Sequence, residues 1–149
     1  MDCSKIIAMT RIHWQESLHP DSERLRYEVF TLEQGFKAED DIDEVDGYAH
    51  NLVLYEGDVP IATARLFLER DDVYHLGRIC IKKEARGKGL GSTVLAICAD
   101  KARELGGKHI RLGAQYDKTA FYIKNGYRVE SPEPFDDAGY PHIHMIIDL

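Results

Sequence analysis

Cysteine, long apolar runs and positive charge are all scarce in this chain of 149 residues. Three cysteines are too few, and odd in number, for a disulfide framework, which favours a reduced, cytoplasmic protein. The longest apolar run, Val94 to Ala99, falls far short of the roughly 20 residues of a membrane span. The chain opens without a basic-then-apolar segment, so we expect no secretion signal and no membrane partner. A formal net charge of −7 argues against a nucleic-acid partner held by phosphate contacts.

Charge is divided unevenly along the chain. The segment from Gly77 to Arg111 carries nine Lys/Arg against three Asp/Glu, whereas everything before Gly77 carries seven against seventeen. The basic segment suits an anionic ligand, and the acidic part could attract a cation. Six acidic residues crowd into eight positions, namely Glu39, Asp40, Asp41, Asp43, Glu44 and Asp46. Two solvated faces would produce the same pattern, so charge alone leaves both interpretations open.

The hydrophobic pattern predicts a single domain over residues 1–149 with mixed helices and strands. Helices are predicted over 21–33, 90–105 and 117–125. Strands are predicted over 6–12, 48–55, 59–69, 73–81, 109–114, 127–130 and 142–147. Gly77 is a candidate bulge, and the acidic stretch and the proline-containing segment before His142 are predicted loops. We therefore expect an α+β or α/β fold with one central, mostly antiparallel sheet.

A glycine-rich loop, Arg86 to Ser92, lies between a predicted strand and the longest predicted helix. Glycine lets backbone N–H groups approach a ligand closely, and a helix N-terminus adds unpaired donors and partial positive charge. The loop is not a P-loop, because Lys88 precedes Gly89 instead of following the last glycine. It is not the dinucleotide fingerprint either, because Ser92 occupies the third glycine position. The loop therefore predicts a pyrophosphate site, with a plain flexible turn as the alternative.

Two motifs in this order resemble the GNAT acyltransferase superfamily. Arg86, Gly89 and Gly91 match the pattern [QR]-x-x-G-x-[GA], and the segment from Phe121 to Tyr127 is similar to FYxxxG[FY]. The N-terminal and C-terminal parts resemble the ElaA-like branch, through Arg26 to Phe30, Glu33-Gln34, the acidic stretch, Gly139 to His142 and Met145. The resemblance implies a twisted central sheet, flanked by helices, in which two parallel strands splay apart.

The resemblance also implies a binding site for acetyl-CoA between the splayed strands, here 72–81 and 109–114. The backbone of three strand residues would pair with the pantetheine arm: Ile79, Cys80 and Ile81. The pyrophosphate would be held by Arg86 and by the loop residues Gly87, Lys88, Gly89, Leu90, Gly91 and Ser92. Gln115 stands seven residues before Tyr122, where the family often has Asn, and could bind the cofactor arm. An N–H near Cys80 could polarise the acetyl carbonyl.

The implied reaction is transfer of an acetyl group to an amine by direct attack in a ternary complex. By resemblance, Tyr122 would act as the general acid toward the leaving thiolate, whose parent thiol has a pKa of about 8.5 against about 10 for Tyr. A lysine-like amine must lose a proton before it attacks, so a base is needed. The candidate bases are Glu33, Asp43, Asp46, His50 and His142, and we predict that Glu33 is the catalytic one. Acidic residues near the acceptor would favour a cationic amine.

Weaker signals point to other chemistry. The run from Asp41 to Gly47 lacks the spacing of an EF-hand, and His142 with His144 lacks a third ligand at a defined spacing, so we predict no metal site. A non-catalytic acyl-CoA-binding sensor or scaffold would carry the same loop, and a nucleotide-binding phosphate loop is a third alternative. A homodimer is compatible with the sequence, which identifies neither the acceptor amine nor the acyl-chain preference.

Overall fold

The computed structural model describes residues 10–149, and its strands all belong to one eight-stranded sheet. The strands are β1 Thr10–Gln15, β2 His50–Glu56, β3 Val59–Arg70, β4 Val73–Ile81, β5 His109–Gln115, β6 Arg128–Val129, β7 Phe135–Asp137 and β8 Tyr140–Asp148. The helices are α1 Pro20–Arg26, which continues as a π-helix Tyr27–Glu33, α2 Ala38–Asp41, α3 Leu90–Glu104 and α4 Thr119–Lys124. The predicted mixed fold with a mostly antiparallel sheet is confirmed.

The sheet has the order β1-β2-β3-β4-β5-β8-β6, with β7 added to β8 beside β6. Every neighbouring pair is antiparallel except β4 and β5, which are parallel. That pair shares only three registered positions, from Val73 opposite His109 to His75 opposite Arg111, and the two strands then separate. The splayed parallel pair predicted from the family resemblance is therefore present.

Several predicted boundaries shift. Part of the predicted opening strand, residues 6–9, lies outside the described residues, and β1 covers Thr10–Gln15. The predicted loop before His142 is wrong in part, because β7 pairs with the start of β8 as a short hairpin closed by Ala138 and Gly139, both at positive φ. The acidic stretch, predicted as a loop, contains α2 and a 3₁₀ turn over Glu44–Gly47.

A bulge in β4 occurs next to the predicted position. The register between β3 and β4 shifts between Thr63 and Arg65, and Arg78 takes a left-handed φ of 50°. The residue at positive φ is thus Arg78 and not Gly77. An extra residue bends a strand and reverses which face the following side chains occupy.

The two faces of the sheet have separate apolar clusters. The main core lies under α3, whose buried residues Leu90, Val94, Cys98 and Ala102 recur at spacings of four and pack on strand residues such as Leu76. The opposite face has a smaller cluster, in which Leu25 and Val29 of α1 and its π-helical continuation pack on Cys80. Each fully buried Leu or Val contributes about 1.5–3 kcal/mol. Among residues 10–149, no helix is long and apolar enough to cross a membrane.

Candidate active site

The separation of β4 from β5 leaves an open wedge in the middle of the sheet. Beyond His75 and Arg111 neither strand pairs with the other, although β4 stays paired with β3 and β5 stays paired with β8. Each strand therefore presents unpaired backbone donors and acceptors into the wedge, as an exposed sheet edge does. An extended ligand can bind such an edge as an added strand. The candidate residues Ile79, Cys80 and Ile81 lie on the β4 side of this wedge.

The glycine loop follows β4 and leads directly into α3. Gly87 and Gly89 have φ values of 79° and 78°, which glycine adopts without strain. Gly89 is the residue before the first turn of α3, and no side chain caps that turn. The first N–H groups of a helix have no partner within it, so the turn at Leu90 to Ser92 is an anion-binding arrangement. The predicted loop residues thus lie together at the helix N-terminus.

Gly91 connects this loop to the second motif. A Cβ on Gly91 would stand 2.9 Å from Cζ of Phe121, a distance that side chains essentially never show. The Phe121 ring therefore packs against the backbone of the first turn of α3. Because Phe121 precedes Tyr122 on α4, this contact fixes the tyrosine helix to the loop.

Tyr122 lies on the helix that follows the end of β5. Its ring makes edge contacts with Phe121 and Tyr127, with centroids 5.1 and 5.8 Å apart. Burial raises the pKa of Tyr122 to about 12, so the phenol stays protonated at neutral pH. Its hydroxyl has no hydrogen-bond partner among residues 10–149. A half-buried phenol with a free hydroxyl can donate a hydrogen bond to a bound group.

Arg86 and Glu33 hold each other in a two-point ion pair. Arg86 Nη2 donates to Glu33 Oε1 at 2.7 Å, Nη1 donates to Oε2, and Nε donates to the carbonyl of Ile81 at 3.0 Å. The pair ties the entrance of the loop to the end of the π-helix. Hydrogen bonds from Arg86 lower the pKa of Glu33, and such a carboxylate accepts a proton less readily than a free one. The structure therefore gives Glu33 a contact that opposes its predicted role as the base.

Gln115 also contacts the end of the π-helix. Its Nε2 donates to Oε1 of Gln34 at 3.3 Å, and the hydroxyl of Tyr140 donates to the carbonyl of Gln34 at 3.2 Å. The Phe36 ring packs on Tyr140 with centroids 4.8 Å apart. Since the π-helix packs on β4 through Cys80, the segment around Gln34 connects β4 with β5 and β8 on one face of the wedge.

The other predicted bases are held in structural contacts. Asp43 is bound by Arg65, and Asp46 receives 2.8 and 3.0 Å hydrogen bonds from buried Arg26. Burial acts to raise the pKa of Asp46, but the hydrogen bonds from Arg26 and from the Asp43 N–H outweigh it and lower the pKa to about 2. His142 is buried with Nδ1 bonded to the carbonyl of Tyr140, and His50 lies 3.9 Å from Glu16.

Burial raises the pKa of the Cys80 thiol well above its ordinary range, which agrees with a packing role for that side chain. Within the described part of the chain, no three His, Cys, Asp or Glu side chains are grouped so that they could hold a metal ion.

One polar group near the wedge was missed by sequence reasoning. His75 of β4, Glu69 of β3 and Arg111 of β5 form a hydrogen-bonded set. The alternation of side chains along a strand could have indicated the orientation of His75. His75 lies between Tyr74 and Leu76, whose side chains enter the main core, so the side chain of His75 must point to the opposite face of the sheet. The partners of His75 come from other strands, so only the assembled sheet identifies the set.

Comparison with known proteins agrees with this geometry. A family model described as an acetyltransferase (GNAT) domain matches residues 19–149. The Bacillus subtilis protein named uncharacterized N-acetyltransferase YjcF is 37% identical over 128 residues, which is 86% of this chain and 91% of that protein. The crystal structure of Escherichia coli ElaA is 27% identical with a TM-score of 0.77, covering 92% of this chain and 99% of that one.

A GNAT family acetyltransferase from Elizabethkingia anophelis, solved with acetyl-CoA bound, has the same fold at 17% identity. Its TM-score is 0.68, and the match covers 95% of this chain and 99% of that chain. The family resemblance drawn from the two motifs is confirmed by the domain match and by the likeness to ElaA. This chain belongs to the GNAT acetyltransferase family.

Proposed function

We propose that the protein transfers an acetyl group from acetyl-CoA to an amine by direct attack in a ternary complex. One observation carries the proposal: the wedge, with its unpaired strand edges, is followed by an uncapped glycine loop, and the contact of Phe121 with Gly91 attaches the Tyr122 helix to that loop. An extended pantetheine arm, a pyrophosphate and a thioester need these three kinds of partner in that order. The structure with acetyl-CoA bound, which shares the fold, makes this ligand the natural choice.

The pyrophosphate would bind at the N-terminus of α3. The N–H groups from Gly87 to Ser92 would donate to its oxygens, and Lys88 would contribute positive charge. Arg86 differs in its proposed role, because its guanidinium already pairs with Glu33 and the carbonyl of Ile81. We assign Arg86 chiefly to holding the loop in position, with residual attraction for the anion. Gln115, at the end of β5, would face the pantetheine arm in exchange for its bond to Gln34.

Tyr122 would stabilise the leaving thiolate. With a pKa of about 12, the phenol is a hydrogen-bond donor at every physiological pH. Complete proton transfer to a free thiolate with a conjugate-acid pKa of about 8.5 would be uphill by about 3.5 units, or about 5 kcal/mol. Burial raises the pKa of the thiol as well and narrows this gap. The main contribution of Tyr122 is therefore a hydrogen bond that strengthens as the sulfur becomes negative.

Thiol release separates an enzyme from a CoA-binding module. The wild-type protein, supplied with acetyl-CoA and a panel of primary amines, is expected to release thiol at a rate that depends on the amine. Tyr122→Phe should lower kcat by about 100-fold or more while leaving the Kd for acetyl-CoA within about twofold. Tyr27→Phe, which removes the hydroxyl of an exposed tyrosine outside the wedge, is the matched control and should behave like wild type.

Two outcomes would contradict the proposal. Tight binding of acetyl-CoA without thiol release for any amine in the panel would favour the sensor or scaffold alternative. A rise in Tm with ATP and none with acetyl-CoA would favour a nucleotide-binding loop instead.

A further inference from the structure

A neutral histidine beside the wedge has the arrangement of a catalytic base. We infer that His75, oriented by Glu69, takes the proton of the acceptor amine, an inference that rests on the proposed acetyl transfer. His75 is the last residue of β4 that pairs with β5 before the strands separate. Its side chain faces away from α3, onto the face where α1 and its π-helix pack on Cys80.

Among residues 10–149, the imidazole is held through one of its two nitrogens. His75 Nδ1 lies 3.3 Å from Oε1 of Glu69, and the same oxygen accepts a 3.2 Å bond from Nη1 of Arg111. The Phe67 ring lies against the imidazole with centroids 5.1 Å apart. With Nδ1–H donating to the carboxylate, the lone pair of the tautomer is on Nε2. Nε2 has no hydrogen-bond partner among residues 10–149.

A glycine keeps the free nitrogen accessible. A Cβ built on Gly77 would lie 3.9 Å from both Cδ2 and Nε2 of His75, so the Nε2 side of the ring leans along β4 toward the bulge. Because Gly77 has no side chain, the space between Nε2 and the point where the strands diverge is not filled by that residue. The base is thus placed at the closed end of the wedge, in line with the strand that would hold the acetyl donor.

The surroundings of His75 keep it unprotonated at neutral pH. Burial lowers the pKa of His75, and Arg111 and Arg65 act in the same direction. Glu69 opposes them, by charge and by its hydrogen bond. These are the charged groups that face the ring from β3 and β5. Glu33, Asp43 and Asp46, by contrast, each accept hydrogen bonds from an arginine, and their lowered pKa makes them poorer proton acceptors.

The acetyl group moves from sulfur to nitrogen, and the amine loses two protons. The acceptor enters as R–NH₃⁺ and gives one proton to Nε2 of His75, which leaves a lone pair on nitrogen. That pair forms the N–C bond to the acetyl carbonyl, and the C–S bond breaks with its electron pair going to sulfur. The second proton lost from nitrogen ends on the thiolate. His75 then releases its proton to water, so one proton is produced per amide formed.

Two nucleophiles of different basicity distinguish a base from a packing residue. The first is the amine with the highest rate in the panel above. The second is hydroxylamine, which is already neutral at pH 7.5 and needs no base before attack. His75→Gln keeps a side chain able to bond Glu69 but cannot carry the proton. We expect kcat/KM for the amine to fall about 100-fold, with the hydroxylamine rate and the Kd for acetyl-CoA within about threefold of wild type.

The pH profile gives a second readout. For wild type, kcat/KM for the amine should fall as the pH drops through the pKa of His75, and His75→Gln should lack this limb. Glu69→Gln, as a positioning variant, should move the limb to lower pH because the imidazolium loses its carboxylate partner. His109→Gln is the matched control. His109 Nδ1 lies 2.8 Å from Oδ1 of Asp148 on the same sheet, but His109 is at the end of β5 that is away from the open wedge.

The inference is overturned if His75→Gln keeps amine activity within about threefold with an unchanged acidic limb, or if it loses hydroxylamine activity equally. Should His75→Gln fail to fold, an unmoved limb in folded Glu69→Gln overturns it. If no amine releases thiol from the wild-type protein, the proposed function fails first and the role of His75 falls with it.

Discussion

At the scale of single residues, two glycines of the loop are required for different structural reasons. Gly89 needs its positive φ of 78°, yet a Cβ there would meet no atom within 4 Å. Gly91 has an ordinary backbone, but the Phe121 ring occupies the place of its side chain at 2.9 Å. The motif was visible in the sequence because it is local. The reason for Gly91 was not, since Phe121 lies 30 positions further along the chain.

The left-handed backbone at Gly89 predicts a selective effect of a substitution there on ligand binding. Gly89→Ala should lower the free energy of unfolding by about 1–2 kcal/mol, the cost of a left-handed residue with a Cβ. It should also weaken acetyl-CoA binding, because relaxing the strain turns the N–H groups of the loop. Gly106→Ala is the control: it has a φ of 89°, equal open space, and a position just beyond the other end of α3. Calorimetry should show similar destabilisation for both variants and a larger Kd for Gly89→Ala alone; equal Kd values would refute the role of the loop.

His75 illustrates the limit of sequence reasoning at this scale. A single histidine in an apolar strand carries no motif, and its partners Glu69 and Arg111 are supplied by two neighbouring strands. The contact that opposes Glu33 as a base was hidden from the sequence for a similar reason. Its sequence neighbourhood does not reveal that Arg86, 53 positions away, holds both carboxylate oxygens.

At the scale of elements, the acidic segment of residues 39–46 forms ion pairs that act as a clamp on the rest of the fold. Three arginines from different elements bind it: Arg26 of α1, Arg65 of β3 and Arg78 of β4. Arg78 is the residue of the bulge with positive φ, and its Nε donates to the carbonyl of Asp41 at 3.1 Å. The segment therefore helps to hold the bulge beside the wedge. The charge count found the cluster but could not show that arginines of three other elements bind Asp41, Asp43 and Asp46 within it.

Breaking the ion pairs of this clamp should lower the free energy of unfolding substantially. Asp46→Asn leaves Arg26, which has no exposed surface, without its full partner, and we expect a loss of about 3 kcal/mol in the free energy of unfolding. Asp100→Asn, which breaks an exposed pair with Arg103, is the control and should change stability by less than about 0.5 kcal/mol. Chemical denaturation of the two variants measures both numbers, and similar small losses would show that the clamp is dispensable.

The low pKa of Asp46 also predicts that the free energy of unfolding falls at acid pH. The pKa of Asp46 is about 2 in the folded protein, below its ordinary 3.8. A group with a lowered folded-state pKa contributes stability above its unfolded pKa and loses it as the pH falls. Wild type should therefore lose about 2 kcal/mol between about pH 4 and pH 2 through Asp46. Asp46→Asn should lack this part of the decline, and denaturation curves at pH 2.5, 4 and 6 test the difference.

At the scale of the whole molecule, a single sheet positions both the wedge and the proposed base His75. The elements and the loop could be predicted because their signals are periodic or local, whereas the splayed parallel pair was expected only from the family resemblance. The closing hairpin of β7 and β8 was not fully predicted, since its strand β7 is three residues long and lies in a segment with proline and charge.

Cys80 and Cys98 lie in the two apolar clusters on opposite faces of the sheet, so each reports on the opening of one face.

These two thiols test whether the molecule unfolds as one unit. Burial raises the pKa of both well above the ordinary thiol range, so iodoacetamide should reach them only through opening. In a Cys3→Ser background, we expect both cysteines to be labelled at the same slow rate, as for two-state unfolding. Acetyl-CoA at 100 times its Kd should slow both by about 100-fold, equivalent to about 2.7 kcal/mol, because the ligand binds only the folded state. If Cys80 were labelled much faster than Cys98 and acetyl-CoA protected only Cys98, the α1 layer would open separately from the α3 core.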